Sequence, residues 1–251
     1  MTQKWFTLMS WNIAHLNSTG VRTWATRRGT VVRKIKNVAP DVFCSQENVK
    51  TVGRLSGYGY IDSKLSSYER VAGSDGRYIY IRQQTVKYIA GGVFQLTPKY
   101  KGDDKQAAWA ILQMRSGGEP FLVTSYHLEN EGMSDLIRYK QMKSCLSQAK
   151  AKASVRGIPT SRIFHAGDTN FQTAGAINKV KALGYADAFD KAKTVKKKSY
   201  RSFNDWRATR VGFRIDRIWI NASRPIILAQ QITSLFRAAD HNPQVVVVGK
   251  T

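Results

Sequence analysis

The stretch Arg162-Ile163-Phe164-His165-Ala166-Gly167-Asp168-Thr169-Asn170-Phe171 is a short apolar run that breaks into polar residues at its end. Read as extended chain, Arg162 to Gly167 is a buried strand, and Asp168 and Asn170 stand just beyond it. The same arrangement recurs along the sequence. Asn12 follows Trp11, Glu47 follows Phe43-Cys44-Ser45-Gln46, and His127 follows Leu122-Val123-Thr124-Ser125-Tyr126. Asp216 lies in Arg214-Ile215-Asp216-Arg217-Ile218, and Asp240-His241 precede Asn242-Pro243 and a last apolar run. A single polar residue at a strand end is usually a turn former or a cap. A series of them on successive strands points to a common edge, because side chains at strand ends converge where strands share or face sheets.

The elements around these sites support that arrangement. Trp5 to Trp11 reads as a strand and Val21 to Val38 as a helix with Val21, Trp24, Ala25, Val31, Val32, Ile35 and Val38 near one face, ended by Pro40. Asp41 to Gln46 is a short buried strand. Arg77–Arg82 with Val86–Ala90, and Ala107–Met114 with Pro120–Tyr126, are each predicted to form a hairpin, the second turning at Ser116-Gly117-Gly118. Ser134 is placed to cap a helix whose apolar face is Leu136, Tyr139, Met142, Leu146 and Ala149. Thr173 to Leu183 is a helix closed by Gly184; Arg214–Ile220, Ile226–Ser234 and Gln244–Val248 complete the strands. Strands and helices interspersed in this way, with many strands adjoining one another, predict an α/β protein of mixed sheets with helices outside. No repeat or linker divides residues 1–251, so a single domain is expected.

Among the 251 residues, 42% are hydrophobic and 23% charged, which excludes a mostly disordered chain. Cys44 and Cys145 match no metal-binding spacing and read as reduced, buried thiols. No secretory pattern opens the sequence and no apolar run nears the roughly 18–20 residues of a membrane span, so a cytoplasmic protein without a transmembrane segment is expected. Forty Lys and Arg against 17 Asp and Glu leave a net charge of +23. That charge favours a polyanionic partner, nucleic acid foremost. It also opposes self-association, so a monomer with no obligate protein partner is expected. Lys196, Lys197, Lys198, Arg201, Arg207 and Arg210 concentrate in one stretch with Tyr200, Phe203 and Trp206 interleaved. Cations beside aromatics suit phosphate contact with base or sugar stacking. His15 and His165 lack a nearby carboxylate set and read as structural.

The ordered set Ser10-Trp11-Asn12, Ser45-Gln46-Glu47, Ser125-Tyr126-His127-Leu128, Gly167-Asp168-Thr169-Asn170-Phe171, Arg214-Ile215-Asp216-Arg217-Ile218 and Ala239-Asp240-His241-Asn242-Pro243 resembles the endonuclease/exonuclease/phosphatase superfamily, the DNase I-like proteins. The resemblance spans nearly the whole chain. It implies a four-layered α/β sandwich of two facing mixed β-sheets flanked by helices. It also implies a divalent-metal-dependent nuclease, with DNA as the first substrate to consider. Glu47 resembles the family's main metal ligand, with Asn12 beside it and Asp240 completing the site. Oxygen donors of this kind suit Mg²⁺ or Mn²⁺. Asp168 and Asn170 match the family's Gly-Asp-x-Asn pair, which positions the phosphate or attacking water. His241 is similar to the family's general base, with Asp216 orienting its ring, and His127 to the histidine that contacts a phosphate oxygen or assists the leaving group. The glutamate that partners this first histidine in DNase I-like members has no clear counterpart; Asp75 and Glu69 stand nearest. The same residues would serve an RNA-cleaving enzyme or a phosphatase of phosphoinositides or small esters, and a binding protein without turnover is a further alternative.

Overall fold

The computed structural model describes residues 3–14, 23–49, 57–99, 104–130, 132, 134–197, 201–206, 214–233 and 238–250. Strand β1 (Lys4–Asn12) shows the rule on which the molecule is built. Phe6 and Leu8 point into the layer between two sheets, whereas Met9 and Trp11 point outward to helix α1 (Trp24–Val38). This period-2 alternation buries both faces of the strand. Helix α1 stops where Ala39 turns left-handed (φ 47°) and returns its N–H to the Ile35 carbonyl at 2.9 Å, just before Pro40. The chain re-enters the sheet as β2 (Val42–Gln46), parallel to β1.

Helix α2 (Gly57–Lys64) joins α1 on the outer face, and β3 (Tyr68–Ser74) pairs antiparallel with β4 (Arg77–Arg82). The sequence reading paired Arg77–Arg82 with Val86–Ala90 instead, and the structure corrects it. The Asp75-Gly76 turn, with φ of 47° and 81°, closes the β3–β4 hairpin. Positive φ at both central residues is the conformation that Asp-Gly favours. Residues 83–85 then carry the chain across to the second sheet, where β5 (Val86–Gln95) pairs with β6 (Gln106–Met114). The expected hairpin between β6 and β7 (Phe121–His127) is present. Helix α3 (Asp135–Ser154) then crosses over to β8 (Ile163–Asp168), parallel to β7. Ser134 sits at its N-cap without a side-chain bond, and Leu136 of the expected apolar face is exposed.

Helix α4 (Ala174–Lys181) is capped by Thr173, whose hydroxyl accepts the Ala176 N–H. Three short elements unread in the sequence follow: β9 (Tyr185–Asp187), α5 (Ala188–Lys191) and β10 (Ala192–Lys196). The last strands are β11 (Asp216–Asn221), β12 (Ile226–Gln231) and β13 (Gln244–Gly249). One sheet runs β10-β12-β13-β1-β2-β4-β3 and the other β5-β6-β7-β8-β11-β9. Their facing sides bury Phe6, Phe121, Val123, Phe164, Ile218 and Val246, and helices cover both outer sides. The result is the four-layered sandwich of two mixed sheets that the motifs implied. Each large apolar side chain so buried contributes roughly 1.5–3 kcal/mol. Both cysteines are free and buried. No helix among the described residues is long and apolar enough to cross a membrane.

Candidate active site

The alternation that builds the core also places the site. On β8, Phe164 and Ala166 face the opposite sheet, so Asp168, two residues on, faces it too. The same step carries Asn12 beyond Phe6 and Leu8, His127 beyond Phe121 and Val123, and Asp216 ahead of Ile218 and Ile220. Register aligns them across the sheet: His127 is opposite Asp168, and Asp168 is opposite Asp216. In the other sheet Asn12 is opposite Gln46 and Ser10 opposite Gln244. The apolar filling between the sheets therefore gives way at one end to a row of polar groups.

Two backbone features shape this row. Gly167 (φ 156°) lies against β7 so tightly that a Cβ would stand 2.0 Å from the Tyr126 carbonyl oxygen. Glu47 takes a left-handed conformation (φ 54°), costly for a residue with a side chain, and its Oε1 accepts the Asn12 Nδ2–H at 2.8 Å. Asn12 Nδ2 also reaches Asp168 Oδ2 at 3.2 Å, while its Oδ1 accepts the Ala14 N–H at 3.0 Å. Asn12 thus spans the two sheets and presents nitrogen to both carboxylates. Asp168 Oδ1 accepts the Asn170 N–H at 2.9 Å, and Asn170 Nδ2 reaches the Leu128 carbonyl at 3.3 Å.

Two histidines flank Asp168, each with Nε2 3.8 Å from Asp168 Oδ2. His241 is held at Nδ1 by Asp216 Oδ2 at 2.8 Å, and its carbonyl accepts the Trp11 indole N–H at 2.9 Å. The Ser202 hydroxyl in turn accepts the Asp216 N–H at 2.9 Å. Burial alone would lower the His241 pKa. The charge and hydrogen bond of Asp216, with Asp168 and Asp240, overcome it and raise it well above the ordinary imidazole value. Among the described residues no carboxylate holds His127 in this way: Asp75 turns to Arg77, and Glu69 is exposed. Burial, with the charges of Arg77 and Lys105 against the opposing pull of Glu47, lowers His127 to about 4. Burial and the neighbouring Asp216 push Asp168 up to about 7. Asp240 is also raised, by burial and by Glu47.

Asp168, Asp216 and His241 offer ligand atoms within 4.8 Å of one another. Their geometry is that of a hydrogen-bonded dyad beside an acid, since Asp216 already occupies Nδ1. Oxygen donors for a hard cation lie at Glu47 and Asp240. Asp240 Oδ1 is buried with no hydrogen bond in the structure, and Glu47 and Asp240 repel one another. A divalent ion fits that donor set.

Of the predicted nucleic-acid contacts, Lys198, Arg207 and Arg210 lie outside the described residues, as does Tyr200. Lys196 is exposed on β10, Lys197 donates to the Thr233 hydroxyl at 2.7 Å, and the Arg201 carbonyl accepts the Asn242 amide at 2.8 Å. Phe203 and Trp206 turn inward: Phe203 meets the His241 ring edge-on at 5.1 Å, and Trp206 lies over the Arg27 guanidinium at 5.3 Å. These two aromatics support the site from within. Arg27 was missed by sequence reading, because a cation on a basic helix looks solvent-facing; it is 1% exposed. His165 is structural as expected, buried with Nδ1 3.0 Å from the Thr124 hydroxyl.

No family model matches the sequence, and no curated protein matches it. Solved structures do. An endonuclease/exonuclease/phosphatase from Bacteroides vulgatus superposes with a TM-score of 0.82 at 18% identity, over 98% of this chain and 99% of its own. A mannosyl-6-phosphatase of Bacteroides thetaiotaomicron gives 0.82 at 17%, over 98% and 100%. D. rerio TDP2 complexed with a single-strand DNA product gives 0.73 at 20%, over 98% and 99%. At these identities the likeness establishes the fold.

Proposed function

We propose that this chain, which has the DNase I-like fold of the endonuclease/exonuclease/phosphatase proteins, is a divalent-metal-dependent phosphodiesterase that cleaves nucleic acid, DNA foremost. The observation that carries this reading is the His241–Asp216 hydrogen bond at 2.8 Å, with the opposite ring nitrogen, Nε2, 3.8 Å from Asp168 Oδ2, whose neighbours include Asn12 and, through it, Glu47. Hydrolysis of a phosphodiester needs a water held and deprotonated in line with the leaving oxygen. His241 Nε2 is placed to take that proton, because Asp216 fixes the tautomer with Nδ1 as the donor. Asp168 and Asn170 orient the phosphate or the water. His127, held neutral, donates a hydrogen bond to a non-bridging or leaving oxygen. Glu47 and Asp240 would hold Mg²⁺ or Mn²⁺, with Asn12 orienting Glu47. Such an ion relieves charge on the phosphate and offsets the carboxylate field that raises His241.

The charge of +23 supports a polyanionic substrate, and the TDP2 neighbour was solved with a DNA product. The mannosyl-6-phosphatase neighbour favours a second reading, a phosphatase of small esters. Incubation of supercoiled plasmid with the protein in Mg²⁺, Mn²⁺ or EDTA separates them. Metal-dependent nicking that His241→Ala lacks is expected. Plasmid that is retarded in the gel but never nicked would sink the nuclease reading, and phosphate release from sugar phosphates would establish the second.

A further inference from the structure

The buried face of α1 carries Trp24, Arg27, Val31, Val32 and Ile35, so a guanidinium stands where the helix pattern calls for an apolar side chain. A charge taken out of water in this way is costly, and Leu or Met would fill the same volume without the cost. The hydrogen bonds explain its presence. One terminal nitrogen of Arg27 donates to the carbonyls of Ile13 and, at 3.1 Å, Ala238; the other donates to the Ala14 carbonyl at 3.1 Å. Ile13, Ala14 and Ala238 lie outside the named strands. The guanidinium carbon lies 5.1 Å from the Trp24 ring centre and 5.3 Å from that of Trp206.

Each segment so held carries a residue of the site. Ala14, itself left-handed at φ 65°, donates its N–H to Asn12 Oδ1 and so sets which end of that amide faces Glu47 and Asp168. Ala238 lies two residues before Asp240 and three before His241. Trp206 lies in the same stretch as Asn204, whose N–H donates to the Asp240 carbonyl at 2.6 Å, and Phe203, which bridges to His241. Arg27 also attracts Asp240 and Glu47 electrostatically.

We propose that Arg27 is a positioning residue: its guanidinium fork locks the end of β1, the 238–241 segment and the 201–206 segment into one frame, and thereby sets His241 and Asp240 against Asn12 and Glu47. The inference rests on the phosphodiesterase reading for its effect on rate, but its effect on geometry stands alone. A lysine keeps the charge and loses the fork; a methionine keeps the length and loses both.

The test compares wild type, Arg27→Lys and Arg27→Met by calorimetry, by hydrolysis of bis(p-nitrophenyl) phosphate in Mg²⁺, and by NMR of the histidine rings, with His241 assigned from His241→Ala. Both variants are expected to lower kcat by about a hundredfold with KM nearly unchanged, the scale expected for a misplacement of about 1 Å. Both should also displace the His241 ring signals and speed amide exchange across 238–241 by roughly tenfold. His241 signals and exchange at their wild-type values in a folded variant would overturn the proposal. Full activity in Arg27→Lys would overturn it as well, leaving charge alone as the requirement. Arg27→Lys serves if Arg27→Met does not fold. If wild type neither hydrolyses the diester nor nicks plasmid, the functional reading falls, and the ring signals and exchange still decide for or against Arg27.

Discussion

His241 and His127 stand at the same distance from one carboxylate oxygen and are not equivalent. Each Nε2 is 3.8 Å from Asp168 Oδ2; the His241 side chain is buried and that of His127 is 15% exposed. The difference lies behind them. His241 Nδ1 is hydrogen-bonded to Asp216 at 2.8 Å, whereas His127 is kept neutral first by burial, with Arg77 and Lys105 adding to it against the pull of Glu47. A carboxylate hydrogen-bonded to an imidazole stabilises the cation that forms when the ring accepts a proton; burial without such a bond favours the neutral ring. The first arrangement suits the base proposed for His241, and the second the neutral hydrogen-bonding group proposed for His127.

Removing His241 should have the largest effect. His241→Ala is expected to lower kcat by about 10³–10⁴-fold, the upper range for loss of a general base, with thermal stability near wild type. Asp216→Asn makes the two histidines alike by withdrawing the carboxylate. A fall of about 10²–10³-fold in single-turnover rate is expected, since the ring remains but loses its tautomer and its stabilised cation. Loss of His127 should cost less. His127→Ala is expected to slow turnover by about 10²-fold, the lower end for loss of one donor to a developing charge, and His127→Gln, which keeps a neutral donor, should recover most of it. Equal losses in His127→Ala and His241→Ala would break the comparison.

His165 sharpens it through stability. It is a third buried imidazole, and burial lowers it to about 3. Below its unfolded value of about 6.5 the unfolded chain binds a proton that the folded one refuses, so its contribution is complete above pH 6.5 and shrinks as pH falls toward 3. His165→Phe should flatten the decline of the urea midpoint across that window relative to wild type. Asp187 lies at the other sign of balance: burial would raise it, yet Arg214 and Arg217 hold it at about 2. Its stabilisation is therefore present above about pH 4 and lost only between 4 and 2.

The hairpin at Asp75-Gly76 was legible, because Asp-Gly between two extended runs is a strong turn signal. The more apolar 86–90 segment drew the pairing away from it. Helix α2 and the short β9, α5 and β10 left little periodicity to read. The roles of Phe203 and Trp206 were hidden for a different reason. An aromatic among cations has the same sequence whether it stacks on a ligand or packs beneath the loop.

The sequence by itself determined mixed sheets with helices outside and a row of polar residues at strand ends, and the resemblance of its motifs implied the two facing sheets. The row follows from period-2 alternation in short apolar strands, a local property in which a polar residue two steps beyond a buried one must face the same way. Tertiary structure alone decided which groups surround each histidine, where Phe203 and Trp206 pack, and why Arg27 is buried. Those outcomes depend on groups more than twenty residues apart in the chain, Asp216 with His241 or Arg27 with Ala238. An ionisable group takes its behaviour from the charges and dipoles that folding brings within a few ångströms of it.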